Sequence, residues 1–142
     1  MKKLILMLAA IAIVSFSNAQ KMKEADVPAA VKESFAKEHP GVTPKWSKEK
    51  NGDFEAGWKD KNGEASVTFN PSGRTIEHEM AIAVADLPKG ISDYFAKNNP
   101  GAKIKEASVI IDVTGKKTYE AEVKDLDYIF DEKGSFIKTE KD

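Results

Sequence analysis

No cysteine occurs in the 142 residues, which excludes disulfide bracing, thiolate catalysis and cysteine-ligated zinc. Histidine is nearly as scarce: His39 and His78 are the only two. An excess of positive charge is also missing. The net charge is -1 at pH 7 and lysines alternate with acidic residues, so nucleic acid, which needs clustered cations, is not an expected partner. Neither a Ser-His-Asp arrangement, a phosphate-binding loop nor a nucleophile elbow is legible, and an enzyme is not expected. What is present is the composition of a globular protein, 41% hydrophobic and 32% charged, with enough apolar residues for one modest core.

The one long apolar run opens the chain. Lys2 and Lys3 precede a stretch from Leu4 to Phe16, and Ser17-Asn18-Ala19 precedes Gln20. This is the layout of a secretory signal peptide over residues 1–19. The run falls short of the about 20 residues of a comfortable membrane span. A periplasmic or secreted domain over 20–142 is expected, with no membrane span after cleavage. Without the two leader lysines, 20 basic residues face 23 acidic ones, a net of -3.

Sliding the chain along itself by 60 positions aligns 26–45 with 86–105 at eight identities in twenty, including Phe35-Ala36-Lys37 on Phe95-Ala96-Lys97 and Pro40-Gly41 on Pro100-Gly101. Further on, Phe54-Glu55-Ala56 matches Tyr119-Glu120-Ala121, and the turn at Phe69 to Gly73 matches that at Phe130 to Gly134. The drift in offset falls at turns, where chain length can change without disturbing a core. An internal repeat of about 24–82 and 84–142 within one domain is the organising expectation.

Each copy opens with an aspartate, Asp26 or Asp86, that can cap a helix, followed by a proline tolerated in the first turn. Val27, Val31 and Phe35, and likewise Leu87, Ile91 and Phe95, recur at i, i+4 and i+8 and give each helix one apolar face. His39-Pro40-Gly41 and Asn99-Pro100-Gly101 end them. The period then falls to two: Phe54, Ala56 and Trp58; Ala65, Val67 and Phe69; Tyr119, Ala121 and Val123. Asn-Gly and Asp-rich turns punctuate these strands. Each copy reads as one helix and four strands. The fold class expected is α+β, two tandem helix-plus-four-strand repeats forming one antiparallel sheet with both helices packed on one face and the other face in water.

The doubled Asp-hydrophobic-Pro helix ending in Phe-Ala-Lys-x-x-Pro-Gly, with strands carrying Tyr-Glu-Ala-Glu-Val and an aromatic-Asp-x-x-Gly turn, resembles the secreted PepSY-like, β-lactamase-inhibitor-like proteins of Bacteroidetes. The resemblance spans essentially all of 24–140. It implies tandem units sharing a curved sheet, a periplasmic or secreted location, and a binding role, of which inhibition of an envelope enzyme is one form.

The candidate surface follows from strand parity. Glu55, Glu77, Glu79, Glu120 and Glu122 share the face predicted to lie in water, where they can receive a basic peptide or a cationic patch on an exported protein. Ile129 and Phe136 are apolar residues placed on that same face. A solvated acidic face without a dedicated ligand, as in a structural or envelope-stress protein, is the alternative, and a small-ligand or metal binder trails both. No cofactor and no metal are expected. His39 reads as a solvated helix stop, His78 as a strand residue partly under a helix, and the two lack ligand spacing in sequence. Asp125, Asp127 and Asp131 miss the calcium-loop pattern. Trp58 shares the parity of Phe54 and Ala56 and reads as core, whereas Trp46 is open.

Overall fold

A computed structural model describes residues 20–141; the expected leader, 1–19, lies outside the described residues. Nine strands form one sheet in sequence order: β1 (Gln20–Met22), β2 (Lys45–Lys48), β3 (Phe54–Asp60), β4 (Gly63–Phe69), β5 (Thr75–Ile82), β6 (Glu106–Asp112), β7 (Lys117–Val123), β8 (Leu126–Asp131) and β9 (Phe136–Lys141). Every neighbouring pair is antiparallel. Helix α1 (Ala29–Glu38) precedes β2, and α2 (Lys89–Asn98) precedes β6. The architecture is α+β, with one strand more than expected because Gln20–Met22 adds to the edge at β2.

Asp26 and Asp86 do not cap these helices. Each sits in a short 3-10 helix, Glu24–Asp26 or Val84–Asp86, and the chain then extends through one residue to a proline. Pro28 (φ -53°, ψ 140°) and Pro88 (φ -52°, ψ 139°) are the residues at the helix starts, without side-chain caps. The Pro28 carbonyl accepts from the amides of Val31 and Lys32 at 3.0 and 3.1 Å. A proline's fixed φ suits a helix entry, so the carboxylate two residues earlier is left to the preceding turn.

Cross-strand partners share a face, so the register traces each side of the sheet. Trp46, Ala56, Val67, His78 and Ile111 form one row across β2 to β6. Ile82, Ala107, Ala121 and Tyr128 form another across β5 to β8. His78 and Ile82 are an even number of residues apart on β5, which puts both rows on one side. Helix α1 buries Val31 and Phe35 over the first with Trp46, Phe54, Val67 and Phe69. Helix α2 buries Ile91 and Phe95 over the second with Ala121, Val123 and Phe130. Phe35 meets Trp46 and Trp58 edge-on, with ring centroids 5.5 and 5.6 Å away, the geometry aromatic quadrupoles favour. Both tryptophans therefore serve the core.

The opposite side is not left in water. Glu55 and Ile129 are 1% exposed, and Thr118 and Asp127 are 3% exposed, although neither helix covers them. The sheet is its own cover: it curls about this face until side chains on distant strands shield one another. A single cleft is lined by both Glu64 of β4 and Asp127 of β8, which a flat sheet at about 4.8 Å per strand would hold about 19 Å apart.

Two turns lock the helices to the sheet. Gly73, at φ +82°, lies so close to α1 that an added Cβ would sit 2.5 Å from the Ala30 carbonyl oxygen, and at Gly134, φ +83°, an added Cβ would sit 3.0 Å from Gly90 Cα. Gly73→Ala is expected to lower stability by about 1–3 kcal/mol for its left-handed backbone, with a further loss as α1 is pushed outward. Gly41→Ala, at φ +81° with nothing within 4 Å of the added Cβ, carries the backbone penalty alone. Urea denaturation of the two variants isolates the helix contact; equal losses would contradict it.

Candidate functional site

The concave face collects carboxylates because its residues alternate with the helix-facing core, and curling brings the rows together. Glu55, Thr68, Glu77 and Asp112 run across β3 to β6. Ser108, Glu120, Ile129 and Lys138 run across β6 to β9, while Glu106, Glu122, Asp127 and Glu140 form a parallel row nearer the strand ends.

Where these rows converge, a cleft of about 810 Å³ opens. Glu64, Glu79, Glu106, Glu120, Glu122 and Asp127 line it, against the two cations Lys59 and Lys105. Lys105 Nζ reaches Glu122 at 2.9 Å from the rim, and Lys59 Nζ lies 3.4 Å from Glu64. Ser108 Oγ donates to Glu79 Oε1 at 2.8 Å.

Of the seven residues singled out from the sequence, Glu79, Glu120 and Glu122 line this cleft. Glu55 and Glu77 are on the same face but do not line the cleft; they belong to an acidic group with Glu49 and Asp53 that adjoins it at Glu79. Ile129 occupies the predicted face yet is buried beneath it. Phe136 is on the opposite side. A bulge between Ile129 and Phe130 shifts the register of β9, so Phe136 pairs with Phe130 and stacks on Tyr94 of α2, ring centroids 4.8 Å apart and 14° from parallel. Glu64, Glu106 and Lys105 went unnoticed in the sequence. Their signal was weak: each stands at a strand end or turn, where alternation gives little guidance.

Among the three hairpin aspartates, Asp131 accepts the amides of Lys133 and Ser135 at 2.9 and 2.8 Å. These bonds, led by that from Ser135, hold its carboxyl below the usual range. Asp127 faces the cleft and Asp125 is exposed, so the three do not converge.

Burial without full pairing governs the charge state of the face. Desolvation raises Glu55 from 4.5 to about 8, assisted by the neighbouring Glu49 carboxyl. Glu77 rises to about 7 by desolvation first and then by the charges of Glu79 and Asp112. Glu79 also rises to about 7 by desolvation, which its Ser108 hydrogen bond only partly opposes. One oxygen of Glu49 and one of Glu55 are buried without a donor; a proton held between the two carboxyls supplies it.

Neither a family model nor a curated protein matches the sequence. Solved structures do share the fold. A Bacteroides eggerthii protein assigned provisionally to the periplasm superposes with a TM-score of 0.70 at 15% identity, covering 81% of this chain and 88% of its own. A DUF2874 family protein of Bacteroides ovatus gives 0.67 at 16% identity over 80% and 86%. A BLIP-like protein of Bacteroides fragilis gives 0.58 at 16% identity, again over 80% and 86%.

The raised carboxyls link folding to pH. Between the unfolded value of 4.5 and the folded values of about 7 to about 8, the folded state holds protons that the unfolded chain has released. Their contribution is therefore fully present below about pH 4.5 and is lost as pH rises through 7 to 8. The urea midpoint is expected to fall between about pH 5 and about pH 9, and Glu55→Gln, which keeps the neutral form, is expected to flatten that fall. A midpoint indifferent to pH in the parent chain would contradict burial of these groups.

Proposed function

We propose that the chain is an exported, non-catalytic module of the periplasm, built from two copies of one helix-and-strand unit, whose concave acidic cleft docks a lysine- and arginine-rich segment of another exported protein. The observation that carries this reading is the composition of the cleft, six carboxylates against two lysines in about 810 Å³. Such an imbalance attracts an extended basic segment and disfavours acidic ones. The provisional periplasmic assignment of one structural neighbour and the BLIP-like name of another accord with export and with binding of a protein, of which enzyme inhibition is one form.

Docking is coupled to protonation. Glu79 in the cleft is raised to about 7, so at neutral pH its carboxyl is partly protonated. An arriving ammonium or guanidinium group favours the ionised form and expels that proton. Binding thus strengthens as pH rises, opposite in sense to the fold's own stability.

A synthetic lysine- and arginine-rich peptide titrated calorimetrically into the protein tests the reading. Affinity is expected to drop several-fold between about 0.05 M and about 0.5 M salt, to increase between about pH 6 and about pH 8, and to fall about tenfold in Glu120→Lys. Equal binding of an acidic peptide of the same length, or no binding of the basic one at low salt, would refute it.

A further inference from the structure

The two histidines of the chain, 39 positions apart in sequence, meet in the fold. His39 ends α1 (φ -130°, ψ 64°) with its amide bonded to the Phe35 carbonyl at 2.8 Å, and His78 lies on the helix-covered face of β5 opposite Val67. Their ring centroids are 5.9 Å apart. Glu38, the last residue of α1, brings Oε2 to 3.7 Å from His78 Nε2, while Thr75 of β5 donates its hydroxyl to the other carboxylate oxygen. One ligand atom from each of Glu38, His39 and His78 lies within 4.8 Å of the others.

We propose that Glu38, His39 and His78 bind a divalent transition-metal ion of the zinc class, tying the end of α1 to β5. Two imidazole nitrogens and a carboxylate suit zinc, whereas calcium takes six to eight oxygen ligands. Zinc bonds of about 2.0–2.1 Å place tetrahedral ligands about 3.3 Å apart, a contraction within reach of side-chain rotation. The His78 and Glu38 side chains are 38% and 35% exposed, so they can move and the ion can enter from solvent. A fourth position is left for water.

Two observations set this cluster apart from ordinary polar packing. His39 Nε2 is shut off from solvent with no hydrogen-bond partner among the described residues, although its ring is held 4.5 Å from Trp58 and 5.2 Å from Phe35. A buried ring nitrogen left unsatisfied costs free energy, which a further ligand recovers. The corresponding corner beside α2 is closed differently. There Asn99, with nearly the same backbone angles (φ -137°, ψ 63°), donates to the Tyr128 hydroxyl at 2.8 Å, and Thr139 faces Tyr128 as His78 faces Val67. That corner needs nothing more. The Thr75 contact to Glu38 is the kind of outer support that orients a ligating carboxylate.

The inference does not rest on peptide docking, and its test is separate. Zinc chloride titrated into the leaderless chain is expected to bind at one ion per chain, to shift the imidazole resonances of His39 and His78 together, and to raise the melting temperature. His78→Asn and Glu38→Gln, both at half-exposed positions, are expected to weaken binding at least tenfold, while Glu79→Gln in the acidic cleft leaves it unchanged. Excess calcium is expected not to displace the ion. Absence of saturable one-to-one binding, retention of affinity in His78→Asn, or displacement by calcium would each overturn the proposal.

Discussion

Desolvation of glutamates on the uncovered side of a curled sheet is the constraint on which the rest of this structure turns. The helices take one face and bury aromatic and branched side chains there, as the period-two pattern requires. Among the described residues the opposite face has no second layer, yet Glu55 is 1% exposed. Carboxylates placed there must be neutralised, paired or hydrogen-bonded. The chain uses all three: protonation within the Glu49 and Glu55 pair, a Lys105 ion pair with Glu122 at the rim, and the Ser108 hydroxyl on Glu79.

That arrangement trades stability for a poised charge. A neutral face would fold more tightly at high pH but would have nothing to offer a cation. A fully ionised face would attract cations at the expense of self-repulsion across the curl. With Glu77 and Glu79 raised to about 7, the face sits between these limits at neutral pH, where ionisation responds to whatever approaches. The salt- and pH-dependence proposed for docking has this single origin.

The sequence carried the parts of the fold that depend on local pattern and missed those that depend on curvature or register shifts. Val31 and Phe35, and Ile91 and Phe95, mark the helix faces by spacing alone, and Phe54, Ala56 and Val67 mark the core side of the strands. Asp26 and Asp86 misled because a 3-10 helix intervenes before each proline. Phe136 misled because a bulge within β9 puts Phe136 and Lys138 on opposite faces although they are two residues apart. Burial of Glu55 was invisible, since alternation says which face a residue takes and nothing about how far that face bends. The meeting of His39 and His78 was equally hidden. It requires the C-terminal end of α1 to land beside the fourth strand after it, a tertiary fact with no signature in ligand spacing.

Carboxyl-carbon NMR titration of the protein over residues 20–142, with the Glu55, Glu77 and Glu79 signals assigned through Glu→Gln variants, tests the central claim most directly. The account predicts midpoints near 8 for Glu55 and near 7 for Glu77 and Glu79. Midpoints near 4.5 for all three would show that water reaches the concave face freely, and would contradict the curled sheet that buries it.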